Sequence, residues 1–119
     1  MQKVGHYING QVITDGERSQ PVYNPAKGII SREVLLGNTK TIDQDVAAAK
    51  VAFPTWSKTT PIQRARIMFK YKELLEHHAD EICHLIGEEH GKIVHDARGE
   101  LQRAIENVEF ACGIPELLK

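Results

Sequence analysis

Between Thr60 and His90 apolar side chains recur every three or four positions. Met68, Leu75, Ala79, Ile82 and Ile86 form one stripe, flanked by Tyr71, Leu74, Cys83 and Leu85. Arg66, Lys70, Glu73, His77, Asp80, His84 and Glu88 take the opposite face. That spacing predicts a long amphipathic helix with one wide buried face and one wet face. Thr60 is a suitable N-cap and Pro61 fits the first helical position, whose N–H has no intrahelical partner. No glycine or proline follows until Gly87, and Gly91 is a natural C-cap. Ile42, Val46, Ala49, Phe53 and Trp56 predict an earlier helix from Ile42 to about Trp56, in which Pro54 is expected to kink the chain or end it early. Val94, Ala97, Leu101, Ala104, Ile105, Val108 and Cys112 predict another, closed by Gly113 and Pro115.

The pattern before the helices is different. His6-Tyr7-Ile8 and Gln11-Val12-Ile13 flank Asn9-Gly10, a strong two-residue hairpin signal because both turn positions tolerate positive φ. Asp15 to Gln20 reads as a polar loop, Asn24 to Gly28 as a turn, and Ile29 to Leu36 as an extended run. The expected architecture is mostly α, with an N-terminal antiparallel β hairpin and strand region over 1–37 and a three-helix region over 38–119. So small a sheet leaves the wide helix faces short of a partner. The helices must pack on one another or on a larger sheet, and the ending Leu117-Leu118-Lys119 favours a piece of a longer protein.

Composition narrows the function classes. In 119 residues the formal charge is −1, which offers no electrostatic reason to bind nucleic acid or an acidic membrane. No apolar run reaches membrane-spanning length. The N-terminus has no signal-peptide or presequence pattern, so a cytoplasmic location is expected. Cys83 and Cys112 form no CxxC pair and read as reduced, structural thiols. Gly87 to Lys92 superficially suggests a phosphate loop, but it is one residue short between its glycines and follows a helix. His77, His84 and Glu88 share a face that is otherwise charged and solvated, so a wet surface outweighs a metal site. No GxGxxG follows a strand, and no catalytic set is assignable.

One helix face stands out. Gly99, Arg103, Glu106 and Phe110 align at steps of three or four. A mid-helix glycine costs about 0.5–1 kcal/mol relative to alanine and usually marks close approach. Two readings stand side by side: a solvated face with one stray aromatic, or a walled pocket in which Arg103 clamps a carboxylate with its two-pronged guanidinium.

Several short motifs, together and in order, resemble the N-terminal portion of an aldehyde dehydrogenase. They are Tyr7-Ile8-Asn9-Gly10, Asn24-Pro25-Ala26-Lys27-Gly28, Ala52-Phe53 with Trp56-Ser57-Lys58, Arg64-Ala65-Arg66, and Glu89-His90-Gly91-Lys92, where the family often has Glu-Thr-Gly-Lys. The stretch from Gly99 to Gly113 is similar to the CoA-acylating methylmalonate-semialdehyde dehydrogenase branch. The resemblance implies an α/β parent with a doubly wound NAD-binding domain, of which 1–119 is the N-terminal fragment. It also implies a catalytic domain, a homo-oligomer, NAD as cofactor and coenzyme A as co-substrate.

The implied reaction oxidises methylmalonate or malonate semialdehyde and releases carbon dioxide. A cysteine thiolate attacks the aldehyde, hydride passes to NAD, and CoA takes the acyl group to give propionyl-CoA or acetyl-CoA. An arginine on this helix is implied to hold the substrate carboxylate, and it falls on Arg103. Neither Cys83 nor Cys112 matches the nucleophile motif, so no catalytic, cofactor-binding or metal-binding residue is expected here and the segment alone is expected to be inactive. Two other readings stay open: a non-acylating NAD(P)-dependent aldehyde dehydrogenase, and a non-catalytic helical interaction module.

Overall fold

The computed structural model describes residues 2–118. Contacts divide the chain into two compact units after Lys58.

The first unit contains five strands and a helix. Strands β2 (His6–Ile8) and β3 (Gln11–Ile13) form an antiparallel hairpin, turned by Asn9 at φ 51° and Gly10 at φ 76°. This is the expected hairpin. A second sheet of three strands has the order β1-β5-β4, with β1 (Gln2–Val4) parallel to β5 (Ile29–Leu35) and β4 (Ser19–Asn24) antiparallel to it. Sequence pattern alone does not reveal β1. It also reads Ser19 and Gln20 as loop, because they are polar. β4 lies at a sheet edge, where a proline's missing N–H forfeits no ladder bond. The register shifts between Val22 and Tyr23, leaving Ser31 as the extra residue on β5, and its Oγ donates to the Val22 carbonyl at 3.0 Å. Buried Asn24 closes the β4–β5 turn, its Oδ1 accepting from Lys27 N at 3.1 Å.

Helix α1 runs from Thr39 to Lys58. Asn38 caps it, accepting from Thr41 N at 3.0 Å. Pro54 lies inside and does not end it; the helix continues another turn, where Ser57 Oγ donates to the Pro54 carbonyl at 3.2 Å. None of its residues is buried, so Val51 is 81% exposed and Phe53 and Trp56 are also at the surface.

The second unit is helical. Helix α2 (Pro61–His77) opens with a full capping box: Thr60 accepts from Gln63 N while Gln63 Oε1 accepts from Thr60 N. The long helix expected to reach His90 is divided at His78, whose φ of −96° and ψ of 18° leave the helical region. Helix α3 (Ala79–His90) follows and ends on Gly91 in the left-handed conformation. No proline or glycine marks the break. It falls between Leu75 and Ala79, and both pack against the same cluster, so packing on the next helix overrides a continuous helical pattern.

That next helix is α4 (Val94–Cys112), and both α2 and α3 pack on it. Ala97, Leu101 and Ile105 join Cys83 in a buried cluster, with Leu75, Ala79, Ile82 and Ile86 partly buried around it. Spacing predicts Leu75 of α2, Ala79, Ile82 and Ile86 of α3, and Ala97, Leu101 and Ile105 of α4 as stripe, with Cys83 as a flank. Val94 and Ala104 of the same predicted stripe, and the flanking Tyr71 and Leu74, are instead exposed. A short helix α5 (Ile114–Leu117) completes the unit. Among the described residues no helix is long and apolar enough to cross a membrane.

Candidate functional site

α4 starts without a side-chain cap. Ile93 at its N-cap is extended, its carbonyl accepts from Ala97 N at 3.0 Å, and Asp96 in the first turn suits the positive end of the dipole. Burial of Ala97, Leu101 and Ile105 fixes the rotation of the helix and turns a polar strip outward. Asp96, Gly99 and Arg103 lie on that strip at steps of three and four.

There they line a cleft of about 390 Å³ together with Lys92 and His95. A larger cleft of about 520 Å³, lined by Glu76, Arg98 and Gln102 among others, shares His95 and Gly99 with it. Gly99 therefore sits between two concavities. A Cβ built on it would meet nothing within 4 Å, so the close approach expected at this glycine comes from no described part of the chain.

Arg103 is exposed, and its guanidinium is ion-paired with no carboxylate among the described residues. Its carbonyl accepts from Asn107 Nδ2 at 2.8 Å. Of the face singled out by spacing, Gly99 and Arg103 come together in the cleft. Glu106 and Phe110 do not line it, and Phe110 is 70% exposed. Within this chain the face is wet rather than walled.

Two flanking groups shape the electrostatics. Lys92, half-buried, is ion-paired with Glu100 on the second turn of α4. That hydrogen bond is the main reason why the Glu100 carboxyl sits below the ordinary carboxylate range; the Lys92 charge adds to it, with smaller effects from His90 and Arg103. Across the helix, Arg98 pairs with Asp80 and ties α4 to α3. His95 and Asp96 escape a reading that begins at Gly99, yet extending that face back one turn reaches both. Lys92 carries no periodic signal because it precedes the helix.

No glycine-rich turn leads from a strand into a helix, and the one parallel pairing among the described residues is that of β1 with β5. Of the residues considered as metal ligands, the His77 ring stands edge-on to His78 at 4.9 Å and His84 Nε2 lies 3.5 Å from Glu88, and among the described residues no three His, Cys, Asp or Glu side chains are grouped to hold a metal ion. Cys83 and Cys112 are buried free thiols outside the cleft.

Comparison with known proteins places this architecture. The chain is 46% identical, over its whole length, to a malonate-semialdehyde dehydrogenase of Pseudomonas aeruginosa, covering 24% of that protein. A crystal structure of methylmalonate-semialdehyde dehydrogenase from Oceanimonas doudoroffii superimposes on the whole chain with a TM-score of 0.97 at 65% identity, again over 24% of its length. A Sinorhizobium meliloti protein assigned to the same activity and solved with NAD gives 0.96 at 36% identity, with 100% and 24% of the two chains covered. The chain thus spans about a quarter of the length of the relatives it matches. Residues 12–119 match the aldehyde dehydrogenase family, and the chain belongs to that family.

Proposed function

We propose that this chain is part of an NAD-dependent, CoA-acylating dehydrogenase of methylmalonate or malonate semialdehyde. The products are propionyl-CoA or acetyl-CoA and carbon dioxide, and the enzyme works in the cytoplasm as a homo-oligomer. The observation that carries this reading is likeness along the entire chain to two dehydrogenases of these semialdehydes, at 46% and 65% identity. Both substrates bear a carboxylate beside the reacting aldehyde, and α4 offers a matching group. Arg103 presents an exposed guanidinium, unpaired with any described acid, at the edge of a cleft. A guanidinium binds a carboxylate through two parallel hydrogen bonds, which fixes orientation as well as adding affinity.

In this reading 1–119 is the N-terminal fragment of the NAD-binding domain. Both cysteines are buried and neither lines the cleft at Arg103, which supports the reading that NAD and the nucleophile are held by other parts of the enzyme and that 1–119 alone has no dehydrogenase activity. Its share in the reaction is to recognise the substrate carboxylate.

The test uses the full-length enzyme with malonate semialdehyde, following NADH with and without CoA. The acylating reading predicts turnover that needs CoA and forms acetyl-CoA. Turnover indifferent to CoA would move the function to a non-acylating aldehyde dehydrogenase. Arg103→Leu is expected to raise the semialdehyde KM by roughly 30-fold or more, the effect of stranding a bound carboxylate without its cation. An unchanged KM would remove Arg103 from the site.

A further inference from the structure

Arg103 has two acidic neighbours on its own helix, Glu100 three residues before it and Glu106 three residues after. At that spacing helical side chains meet, so either acid is placed to pair with it. Neither does, and each holds another partner. Glu106 Oε1 accepts from Gln102 Nε2 at 3.3 Å, and Glu100 Oε2 accepts from Lys92 Nζ. The Lys92 contact is the stronger of the two, since it is charged on both sides and its side chains are only 28% and 44% exposed. Lys92 does not belong to α4. It stands two residues ahead of Val94 and spans the first two turns to reach Glu100.

We infer that Lys92 is a positioning residue for the carboxylate clamp: by occupying Glu100 it keeps that acid off Arg103 and leaves the guanidinium open to the substrate carboxylate. The inference rests on the reading of Arg103 given above. Besides Lys92, Arg103 is the permanent cation whose charge acts on the Glu100 carboxylate. An arginine closed onto its own helix neighbour must open before substrate binds, so apparent affinity falls by the fraction of open arginine. An acid in the substrate would feel this competition; an aldehyde without one would not.

Lys92 lines the same cleft as Arg103, which leaves a rival explanation: its ammonium touches the substrate itself. A double substitution separates the two. The experiment compares kcat/KM for malonate semialdehyde with kcat/KM for propanal, which lacks the carboxylate, in the full-length enzyme. Their ratio is independent of how much of a variant is folded. Lys92→Met is expected to lower the ratio about fivefold, through KM for the semialdehyde, as fits the loss of one partly exposed ion pair. Lys92→Gln provides a second neutral variant if methionine is not tolerated, and Lys92→Arg keeps the pair and the ratio. Adding Glu100→Gln to Lys92→Met removes the competitor and is expected to restore the ratio to within about twofold.

Three results would overturn the inference, and they differ from one another. An unchanged ratio in Lys92→Met, alongside a lowered one in Arg103→Leu, rejects the role of Lys92 and leaves the clamp standing. A double variant as impaired as Lys92→Met shows that Lys92 acts directly. An unchanged ratio in Arg103→Leu rejects the clamp and, with it, the inference.

Discussion

The Lys72 ammonium of α2 lies 3.4 Å from the Glu109 carboxylate of α4. It also hydrogen-bonds Glu76, one turn along its own helix, at 2.7 Å. The Glu76 hydrogen bond first, and the Glu109 contact after it, raise the Lys72 pKa above its ordinary 10.5. A raised lysine pKa favours the charged, folded form. The contribution is therefore complete below pH 10.5 and disappears as the pH climbs through the raised value. Lys72→Met is expected to lower the melting midpoint slightly at neutral pH, less in high salt, and not at all at strongly alkaline pH. A deficit of equal size at neutral and strongly alkaline pH would show that Lys72 contributes through packing of its stem and not through charge.

The core of the second unit is small, so each member carries much of it. Leu101 is 6% exposed against Cys83, Ala97 and Ile105, and Leu101→Ala is expected to cost about 2–3 kcal/mol in urea unfolding. Ala97 is 0% exposed within the same cluster, and Ala97→Leu is expected to cost about 1–3 kcal/mol by overpacking. Near-wild-type midpoints for both would mean that the α3–α4 contact is looser than described.

Turn and cap chemistry made part of this fold legible in the sequence. Asn9-Gly10, the Thr60–Gln63 box and Gly91 announce themselves because a few adjacent residues settle the local backbone. The stripe through Ile82, Ile86, Ala97, Leu101 and Ile105 is legible because helical period and burial agree. What sequence pattern misses depends on residues far apart. β1 owes its strand state to β5, about thirty positions away, and its three residues show no alternation of their own. The break at His78 has no local breaker and follows from packing on α4. Helical period picks out Arg103, while Lys92 joins it only through a contact made from outside the helix.

Cys83 and Cys112 are both buried as free thiols. Buried thiols are shielded from reagents. Neither is expected to react with an aromatic disulfide reagent in the native state, and both are expected to react at once in denaturant. Rapid labelling of either under native conditions would contradict the packing of α3 or of the end of α4.

Gly5 joins β1 to β2 where the backbone of β3 passes close. A Cβ there would stand 2.2 Å from the Ile13 carbonyl oxygen and 2.9 Å from its carbon, so backbone must move to admit even a methyl group. Gly5→Ala is expected to destabilise the hairpin by about 1–3 kcal/mol, the usual cost of forcing atoms into a filled site. Local amide exchange at His6 and Ile13, the opposed pair next to Gly5 whose N–H groups face across the hairpin, reads it directly. Exchange as slow as in the unsubstituted chain would show that β3 yields without loss.

Gly99 is the opposite case, and it tests whether the Arg103 face is covered in the full-length dehydrogenase proposed above, of which this chain would be a fragment. Nothing in this chain stands within 4 Å of a Cβ at Gly99, so Gly99→Ala adds helix propensity without a clash. In the 119-residue chain it is expected to raise stability by about 0.5–1 kcal/mol. In the full-length enzyme the added methyl projects beside Arg103 into the cleft they share. If substrate or another segment comes close to the helix there, the semialdehyde KM rises while the fragment's gain in stability remains. A stabilised fragment together with unaltered full-length kinetics would mean that nothing approaches Gly99 and that the glycine is a tolerated cost of the helix. A destabilised fragment would instead place an obstacle where this structure has open space.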